Sequence, residues 1–306
     1  MWSHRRRGWL AAAGALTVLL LTASCHVTTA AGTGPTSAKT SAAANVSAGP
    51  VVALGDSSTA GGLLPLDAKA KPSGCLRSTK AFPVLVAHAL GAPLISVACT
   101  SAGVKDMTGT QHTYNGTNPA QLTALAPDDR IVLLTIGGDD LGFLNVLQEC
   151  MKLSFTRPWG SPCEAHYTAG GTDQIAAAAS TEAPKIAQVL TAIAARAPQA
   201  RIVVVGYPDM FPQSGGCWPA VPITTGDVAY LRGIEVRANA MLAAAAKTAG
   251  ATFVNTYTPT AGRDFCQPES VRDVEGLLPG SLALPFHPNT RGQQAIANAV
   301  LAALKG

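Results

Sequence analysis

Short apolar runs recur along residues 50–306, and longer alanine-rich stretches separate them. The runs are rich in Val, Ile and Leu, as strands buried on both faces are, and the stretches between them have the length of helices. Strands that alternate with helices favour an α/β fold with a parallel sheet. We predict five strands, at residues 51–54, 94–97, 131–136, 201–206 and 252–255.

Alanine-rich segments predict five helices, at residues 82–90, 119–125, 172–197, 227–248 and 289–305. Pro184 interrupts the third segment, which is therefore either two helices or one helix with a kink. Two other segments, 148–171 and 208–225, lack clear apolar periodicity. We expect both to be irregular surface loops.

The N-terminal region differs in composition from the rest. Three arginines at positions 5–7 precede an uncharged apolar stretch that is short for a membrane span, so residues 1–24 are predicted to be a signal peptide. Residues 25–49, rich in Ala, Thr, Ser and Gly, are predicted to be a flexible tether. The sequence before Cys25 resembles the bacterial lipoprotein box. We therefore expect a secreted or envelope-attached protein, with possible membrane attachment through a lipid on Cys25.

Charge and composition limit the class of protein. The chain has 22 Lys and Arg against 18 Asp and Glu, and three of the arginines lie in the predicted signal peptide. A mature charge near zero indicates no nucleic-acid partner. Because 47% of the residues are apolar, residues 50–306 can bury the core of a single domain, which we expect to be a monomer.

The chain contains seven cysteines, and all but Cys25 lie in the predicted domain. An even number of cysteines in an exported domain favours three disulfides, although buried free thiols are the alternative. Spacing alone does not choose among the pairings. No paired Cys or His spacing is typical of a metal site, so we expect no metal and no cofactor.

Functional side chains of open α/β sheets gather at the carboxyl ends of the strands. Ser57 follows the first strand in the sequence Gly-Asp-Ser-Ser. A serine at such a strand-to-helix turn has the surroundings of a nucleophile. The alternative is that these residues form an ordinary turn with no role in catalysis. His287 precedes the last helix in the sequence Phe-His-Pro-Asn, where a loop position favours a catalytic base over a core histidine.

These residues resemble the GDSL, or SGNH, hydrolase family. The resemblance runs along residues 50–303 through Gly-Asp-Ser-Ser, then Ile-Gly-Gly-Asp-Asp at 136–140, then His-Pro-Asn at 287–289. Further motifs are similar to those of secreted actinobacterial esterases and lipases. The resemblance implies a single-domain three-layer α/β/α sandwich with a flavodoxin-like five-stranded parallel sheet. It also implies a secreted serine esterase or lipase that hydrolyses lipid or short acyl esters.

By that resemblance, Ser57 is the nucleophile that forms an acyl-enzyme, and His287 is its general base. The oxyanion hole would comprise the N–H groups of Ser57 and Ser101 and the side chain of Asp139. Ser101 stands where the family usually has Gly, and Asp139 stands where it has Asn. An ionised carboxylate has no proton to donate. Asp139 is therefore protonated by burial, or displaced so that backbone donors suffice, or the site is weakened or inactive.

The family often orients the histidine with an Asp three residues before it, but this chain has Leu284 at that position. The resemblance to some secreted members implies that the backbone carbonyl of Leu284 accepts the imidazole N–H, which makes a dyad rather than a triad. The resemblance also implies disulfides in chain order, which are Cys75–Cys99, Cys150–Cys163 and Cys217–Cys266.

The sequence also fits two other functions. One is a catalytically weakened or inactive envelope protein of this fold that binds lipid or glycan, which the Asp at position 139 motivates. The other is an esterase that removes acetyl groups from polysaccharide, because the fold sets no chain-length limit.

Overall fold

A computed structural model describes residues 49–306. The predicted signal peptide, the predicted tether up to residue 48 and Cys25 lie outside the described residues. Within residues 49–306, no helix combines the length and the apolarity needed to cross a bilayer.

Five parallel strands form the main sheet, and two short antiparallel strands form a separate hairpin. Along the main sheet the order is β2, β1, β5, β6, β7, which is the flavodoxin-like arrangement. The five predicted strands are confirmed, and each ends within one residue of its predicted end; the hairpin was not predicted. The strands are β1 (Val51–Gly55), β2 (Leu94–Ser96), β3 (Gln111–Thr113), β4 (Gly116–Asn118), β5 (Ile131–Thr135), β6 (Arg201–Val205) and β7 (Thr252–Val254).

Helices cover both faces of this sheet. They are α1 (Ser57–Ala60), α2 (Phe82–Leu90), α3 (Lys105–Thr108), α4 (Phe143–Thr156), α5 (Pro162–Tyr167), α6 (Gln174–Arg196), α7 (Thr225–Thr248), α8 (Tyr257–Thr260) and α9 (Thr290–Lys305). The predicted helix at 119–125 is instead a short 3₁₀ turn, Gln121–Ala124.

Two helical segments differ from what the sequence led us to expect. The segment with Pro184 is one continuous helix, α6, because Ile186, Leu190 and Ile193 pack into the core and outweigh the hydrogen bond that proline removes. The prediction of an irregular loop at 148–171 is wrong, because α4 and α5 occupy most of it. The buried residues of α4 begin at Val146, so their helical spacing starts before the segment that lacked periodicity.

Alternate residues of the strands point to opposite helix layers. Val52, Leu54 and Val204 belong to the core cluster shared with α6 and α7. Val51, Leu133 and Val203 belong to the cluster shared with α2 and α9. This alternation confirms the predicted three-layer α/β/α sandwich.

Gly55 ends β1 and sets the direction of the chain into the nucleophile turn. Its φ is +123°, and a Cβ at this position would lie 2.0 Å from the carbonyl oxygen of Thr135. The buried amide of Gln121 accepts from the Gly55 N–H at 2.7 Å and donates to the Gly55 carbonyl at 3.0 Å. Only glycine fits here, because both the backbone angle and the space exclude a side chain.

Gly55→Ala is expected to lower the free energy of unfolding by about 3 kcal/mol or more, since the methyl group would collide with the neighbouring strand. Gly91 also has a positive φ, of +62°, but a methyl group there would meet no other atom within 4 Å. Gly91→Ala should therefore cost only about 1–2 kcal/mol. Urea denaturation measures both variants, and equal losses would contradict the steric argument.

Candidate active site

Ser57 begins the short helix α1 at the carboxyl end of β1, and Asp56 caps that helix. Asp56 Oδ1 accepts a hydrogen bond from the Ser58 N–H at 2.9 Å. The N–H of Ser57, at the first helical position, has no acceptor among residues 49–306. The turn thus carries both a hydroxyl and a backbone donor that has no acceptor in the described part of the chain.

His287 lies in the loop before α9 and reaches Ser57 across the edge of the sheet. Its Nε2 is 2.7 Å from Ser57 Oγ, although the two residues are 230 positions apart. Its Nδ1 lies 2.7 Å from the carbonyl oxygen of Pro285. A carbonyl oxygen only accepts, so Nδ1 carries the proton and Nε2 accepts from the serine hydroxyl.

The predicted role of the Leu284 carbonyl is wrong. That carbonyl accepts the backbone N–H of His287 at 3.2 Å, which closes a tight turn with Pro285 second and Phe286 third. Phe286 has a φ of +60°, as the third position of a type II turn requires. Because the turn uses the Leu284 carbonyl, the imidazole bonds to the Pro285 carbonyl instead.

Buried polar side chains hold the histidine loop. Asn289 caps α9 by accepting the N–H groups of Arg291 and Gly292, and its Nδ2 donates to Glu275 Oε1 at 2.9 Å. Gln293, fully buried, accepts from the Phe82 N–H and donates to the Ser58 carbonyl at 3.1 Å. The first turn of α9 is therefore tied directly to the nucleophile turn.

The environment of His287 favours a neutral imidazole. Burial lowers its pKa, and the hydrogen bond to the Pro285 carbonyl partly opposes that shift. Among the residues that the structure describes, no carboxylate bonds to the ring. A neutral imidazole near pH 7 can accept the serine proton.

The other two predicted oxyanion residues also lie beside Ser57. Ser101 follows β2 with a φ of +63°, the left-handed region that favours glycine. Its N–H has no acceptor in the described part of the chain. Asp139 follows β5 and lines a cavity of about 50 Å³ together with Ser57 and His287.

Acidic groups surround Asp139. Burial raises the pKa of Asp139 to about 6, and repulsion from Asp140 and Asp106 contributes to that shift. Burial raises the pKa of Asp56 to about 8, and repulsion from Asp139 contributes to that shift. Both carboxyl groups therefore keep a proton to higher pH than an exposed aspartate does, and Asp56 keeps it to higher pH than Asp139.

A second and larger groove, of about 310 Å³, also borders the nucleophile. It shares Ser57 and His287 with the small cavity and is bordered by Ser101. Its walls are mainly apolar and include Leu144, Met151, Leu277, Leu284 and Phe286. An apolar chain attached to a carbonyl at Ser57 would fit this groove.

The structure joins the cysteines in the pairs that the resemblance implied, Cys75–Cys99, Cys150–Cys163 and Cys217–Cys266. Cys99 lies two residues before Ser101, so the first bridge restrains a predicted oxyanion donor. No cluster of His, Cys, Asp or Glu within residues 49–306 has the arrangement of a metal site.

A family model described as GDSL-like Lipase/Acylhydrolase family matches residues 53–295. The chain belongs to this family. Lipase 2 of Streptomyces coelicolor is 38% identical over 253 residues, which are 80% of this chain and 82% of the relative.

Two solved structures from Streptomyces are similar. The extracellular lipase of Streptomyces rimosus has a TM-score of 0.69 and 27% identity, with 84% of this chain and 100% of the other covered. Phospholipase A1 of Streptomyces albidoflavus NA297 has a TM-score of 0.68 and 26% identity, with 84% and 99% covered. Like its relatives in the GDSL-like family, the protein is a carboxylic ester hydrolase.

Sequence reasoning missed several residues that build the site of this GDSL-like hydrolase. Pro285, Gln121 and Gln293 had no motif to mark them, and only the folded chain brings them together. Tyr207 had a signal, because Gly-Tyr-Pro at 206–208 is among the family-like motifs, but its contacts were not predictable.

Ser101→Gly should change the free energy of unfolding by less than about 1 kcal/mol, because relief of the left-handed penalty offsets the entropy of glycine. Ser101→Val should lose about 1–2 kcal/mol, since a β-branched residue is strained at positive φ. Thermal unfolding of both variants provides the measurement. An unchanged Ser101→Val protein would show that this position is not left-handed.

Proposed function

We propose that this ester hydrolase works through a Ser57–His287 dyad. As Ser57 Oγ attacks the ester carbonyl, His287 Nε2 takes the hydroxyl proton and passes it to the departing alcohol. Water then loses a proton to His287 and attacks the acyl-enzyme, which releases the acid and restores Ser57. The 2.7 Å contact between Oγ and Nε2 is the observation that carries the proposal.

In this dyad a backbone carbonyl stands where a triad has a carboxylate. The Pro285 carbonyl fixes the tautomer and orientation of the imidazole, as a carboxylate would, but it brings no full negative charge to stabilise the imidazolium. Burial of the ring further disfavours the charged form. Oxyanion stabilisation therefore has to supply a large share of the rate enhancement.

Three donors are proposed for the oxyanion. The N–H groups of Ser57 and Ser101 are free to point at it, and Asp139 contributes an O–H in its neutral form. The position of Asp139 in the same small cavity as the dyad argues against displacement, and its pKa, raised to about 6, supports the O–H form below that pH.

An apolar acyl chain is the proposed part of the substrate that occupies the large groove. Its mainly apolar walls favour lipid esters or simple acyl esters. The names of the relatives, lipase and phospholipase A1, agree with this choice. An acetyl group on a polysaccharide would leave most of the groove empty.

Export is proposed as well. Three disulfides are typical of an oxidising compartment, and the similar Streptomyces rimosus lipase is extracellular. We propose that residues 1–24 are removed as a signal peptide and that the mature monomer is secreted or held at the envelope through Cys25.

Ser57→Ala and His287→Ala should each lower kcat for p-nitrophenyl butyrate by about 10⁴-fold or more, because the two residues act as a unit. His88 is exposed on α2, and His88→Ala serves as the matched control with full activity. A fluorophosphonate probe should label the wild type but not Ser57→Ala. Persistent activity in Ser57→Ala would end the assignment, and an unlabelled wild type would favour the inactive binding protein.

Leu144→Glu should selectively impair esters with long acyl chains, since a charge on the groove wall opposes burial of methylene groups. The ratio of kcat/KM for octanoate to acetate should fall by about tenfold or more, on the scale of ~0.8 kcal/mol per buried methylene. Val236→Glu changes an exposed apolar residue of α7 that lies outside both cavities, and it should leave the ratio unchanged. If Leu144→Glu and the wild type have the same ratio, and the wild type is strongly active on acetylated xylan, the acetyl esterase is favoured.

A further inference from the structure

The large groove of the active site is lined along one side by helix α4, and the helix continues past the residues that line it. Three residues of α4 line the groove, Leu144, Gln148 and Met151. Their spacing of four and then three residues places them in one row on the helix surface. The next member of that row is Phe155, in the last turn of the helix. The row therefore continues to an aromatic residue beyond the groove lining.

Phe155 and Trp218 form an exposed pair of rings at that end of the row. Phe155 is 66% exposed and Trp218 is 44% exposed. Their ring centroids lie 5.6 Å apart, and the ring planes meet at 61° in an edge-to-face contact. Helical side chains lean toward the N-terminus of their helix, which for Phe155 is the direction of the groove. Exposed apolar patches next to a groove are typical of binding surfaces.

The opposite wall of the groove leads to the same pair of rings. Leu277 lines the groove. A Cβ on Gly276, the residue before it, would lie 3.5 Å from Val221 Cγ2. The Val221 N–H donates to the Cys217 carbonyl at 3.2 Å, which closes the turn that carries Trp218. Both sides of the groove are thus connected to the aromatic pair.

The backbone around the pair is fixed on both sides. Cys217, the residue before Trp218, is bridged to Cys266. The Thr224 N–H donates to Ser154 Oγ at 3.2 Å, and Ser154 is fully buried on α4. This bond ties the segment after Trp218 to the end of α4. A ligand that covers the rings therefore has little backbone to order, which lowers the entropic cost of binding.

An apolar chain is the occupant that fits this path. None of the residues that line the groove is Asp, Glu, Lys or Arg. The charged side chains of this part of α4, Glu149 and Lys152, pair with each other at 3.1 Å and do not line the groove. Methylene groups are stabilised by such surroundings, whereas a charged group would lose its water without a partner.

The distance along α4 sets the chain length that reaches the pair. Phe155 lies eleven residues after Leu144, which is about 16 Å at a rise of 1.5 Å per residue. An extended acyl chain advances by roughly 1.3 Å per carbon, because its C–C bonds of about 1.5 Å zigzag. Octanoate, at about 10 Å, therefore spans only the turns from Leu144 to Met151. About twelve or more carbons are needed to reach Phe155.

We propose that Phe155 and Trp218 form a distal binding site for the end of a long acyl chain, so that the preferred substrates are esters of fatty acids with about twelve or more carbons. The chain lies along α4 from Ser57 to the two rings. The inference rests on the proposed function, in which the large groove holds the acyl chain. Neither ring touches a reacting atom, so both residues determine specificity.

The first test compares p-nitrophenyl myristate and octanoate in the same nonionic detergent micelles. Phe155→Ala and Trp218→Ala should each lower kcat/KM for the myristate by about fivefold or more, because a large apolar contact with the chain end is lost. The value for the octanoate should stay within about twofold, since that chain ends before the rings. Phe155→Leu keeps an apolar side chain and should retain most of the activity on the myristate.

Tyr114→Ala is the matched control. Tyr114 is 77% exposed at the turn of the β3–β4 hairpin and lines neither cavity of the active site. The variant removes an exposed aromatic ring elsewhere, so it should leave the ratio of myristate to octanoate unchanged.

Tryptophan fluorescence tests the contact without relying on catalysis. After removal of residues 1–24, Trp159→Phe leaves Trp218 as the only tryptophan. Myristic acid brominated near its methyl end should quench the fluorescence of Trp218, because bromine quenches a ring that it touches. Octanoic acid brominated at the same end should not, since its chain is too short. Phe155→Ala should weaken the quenching by the brominated myristic acid.

A wild-type ratio of myristate to octanoate in both alanine variants would overturn the proposal, and so would the absence of quenching by brominated myristic acid. Equal losses for the two esters would overturn it as well, because rings that only anchor the protein to the micelle act on both substrates. Failure of the proposed function is visible separately, as a wild type that a fluorophosphonate probe does not label.

Discussion

The hydrogen bond between Ser57 Oγ and His287 Nε2 is the contact on which the rest of the site depends. It joins two segments that are 230 positions apart in the chain. Ser57 begins a helix of only four residues after β1, and His287 lies in the segment 261–289 between α8 and α9. Gln293 on α9 links these segments, because it donates to the Ser58 carbonyl and accepts from the Phe82 N–H in the first turn of α2.

The supports of this contact are mostly neutral. Gln121 and Gln293 are fully buried amides that each donate and accept one hydrogen bond to backbone groups. An amide does not titrate, so these supports are independent of pH. Two carboxyl groups also support the contact, because Asp56 accepts from the Ser58 N–H and Glu275 accepts from Asn289 in the histidine loop. The amide bonds therefore persist at every pH, whereas the bonds of these two carboxyl groups depend on ionisation.

The sequence predicted the sheet well and the connections less well. Buried strands are continuous apolar runs, which a short window detects, and all five were found. The helix α4 was missed because Cys150 and Ser154, both buried on its inner face, look polar or ambiguous in a sequence. Ser57 and His287 could be found because their motifs are local. The Pro285 carbonyl could not, because a backbone acceptor depends on a turn geometry, here the positive φ of Phe286, that residue types only suggest.

Two residues of the site, Ser101 and Phe286, have left-handed backbone without being glycine. Such conformations cost about 1–3 kcal/mol each and persist where the surroundings enforce them. Ser101 is held by the Cys75–Cys99 bridge and by Thr100, whose N–H and hydroxyl both donate to the Cys75 carbonyl. Phe286 is held by its N–H bond to the Glu275 carbonyl and by the edge-to-face contact of its ring with Phe265. These two positions set the direction of the Ser101 N–H and of the loop that carries His287, which are the groups proposed to act on the substrate.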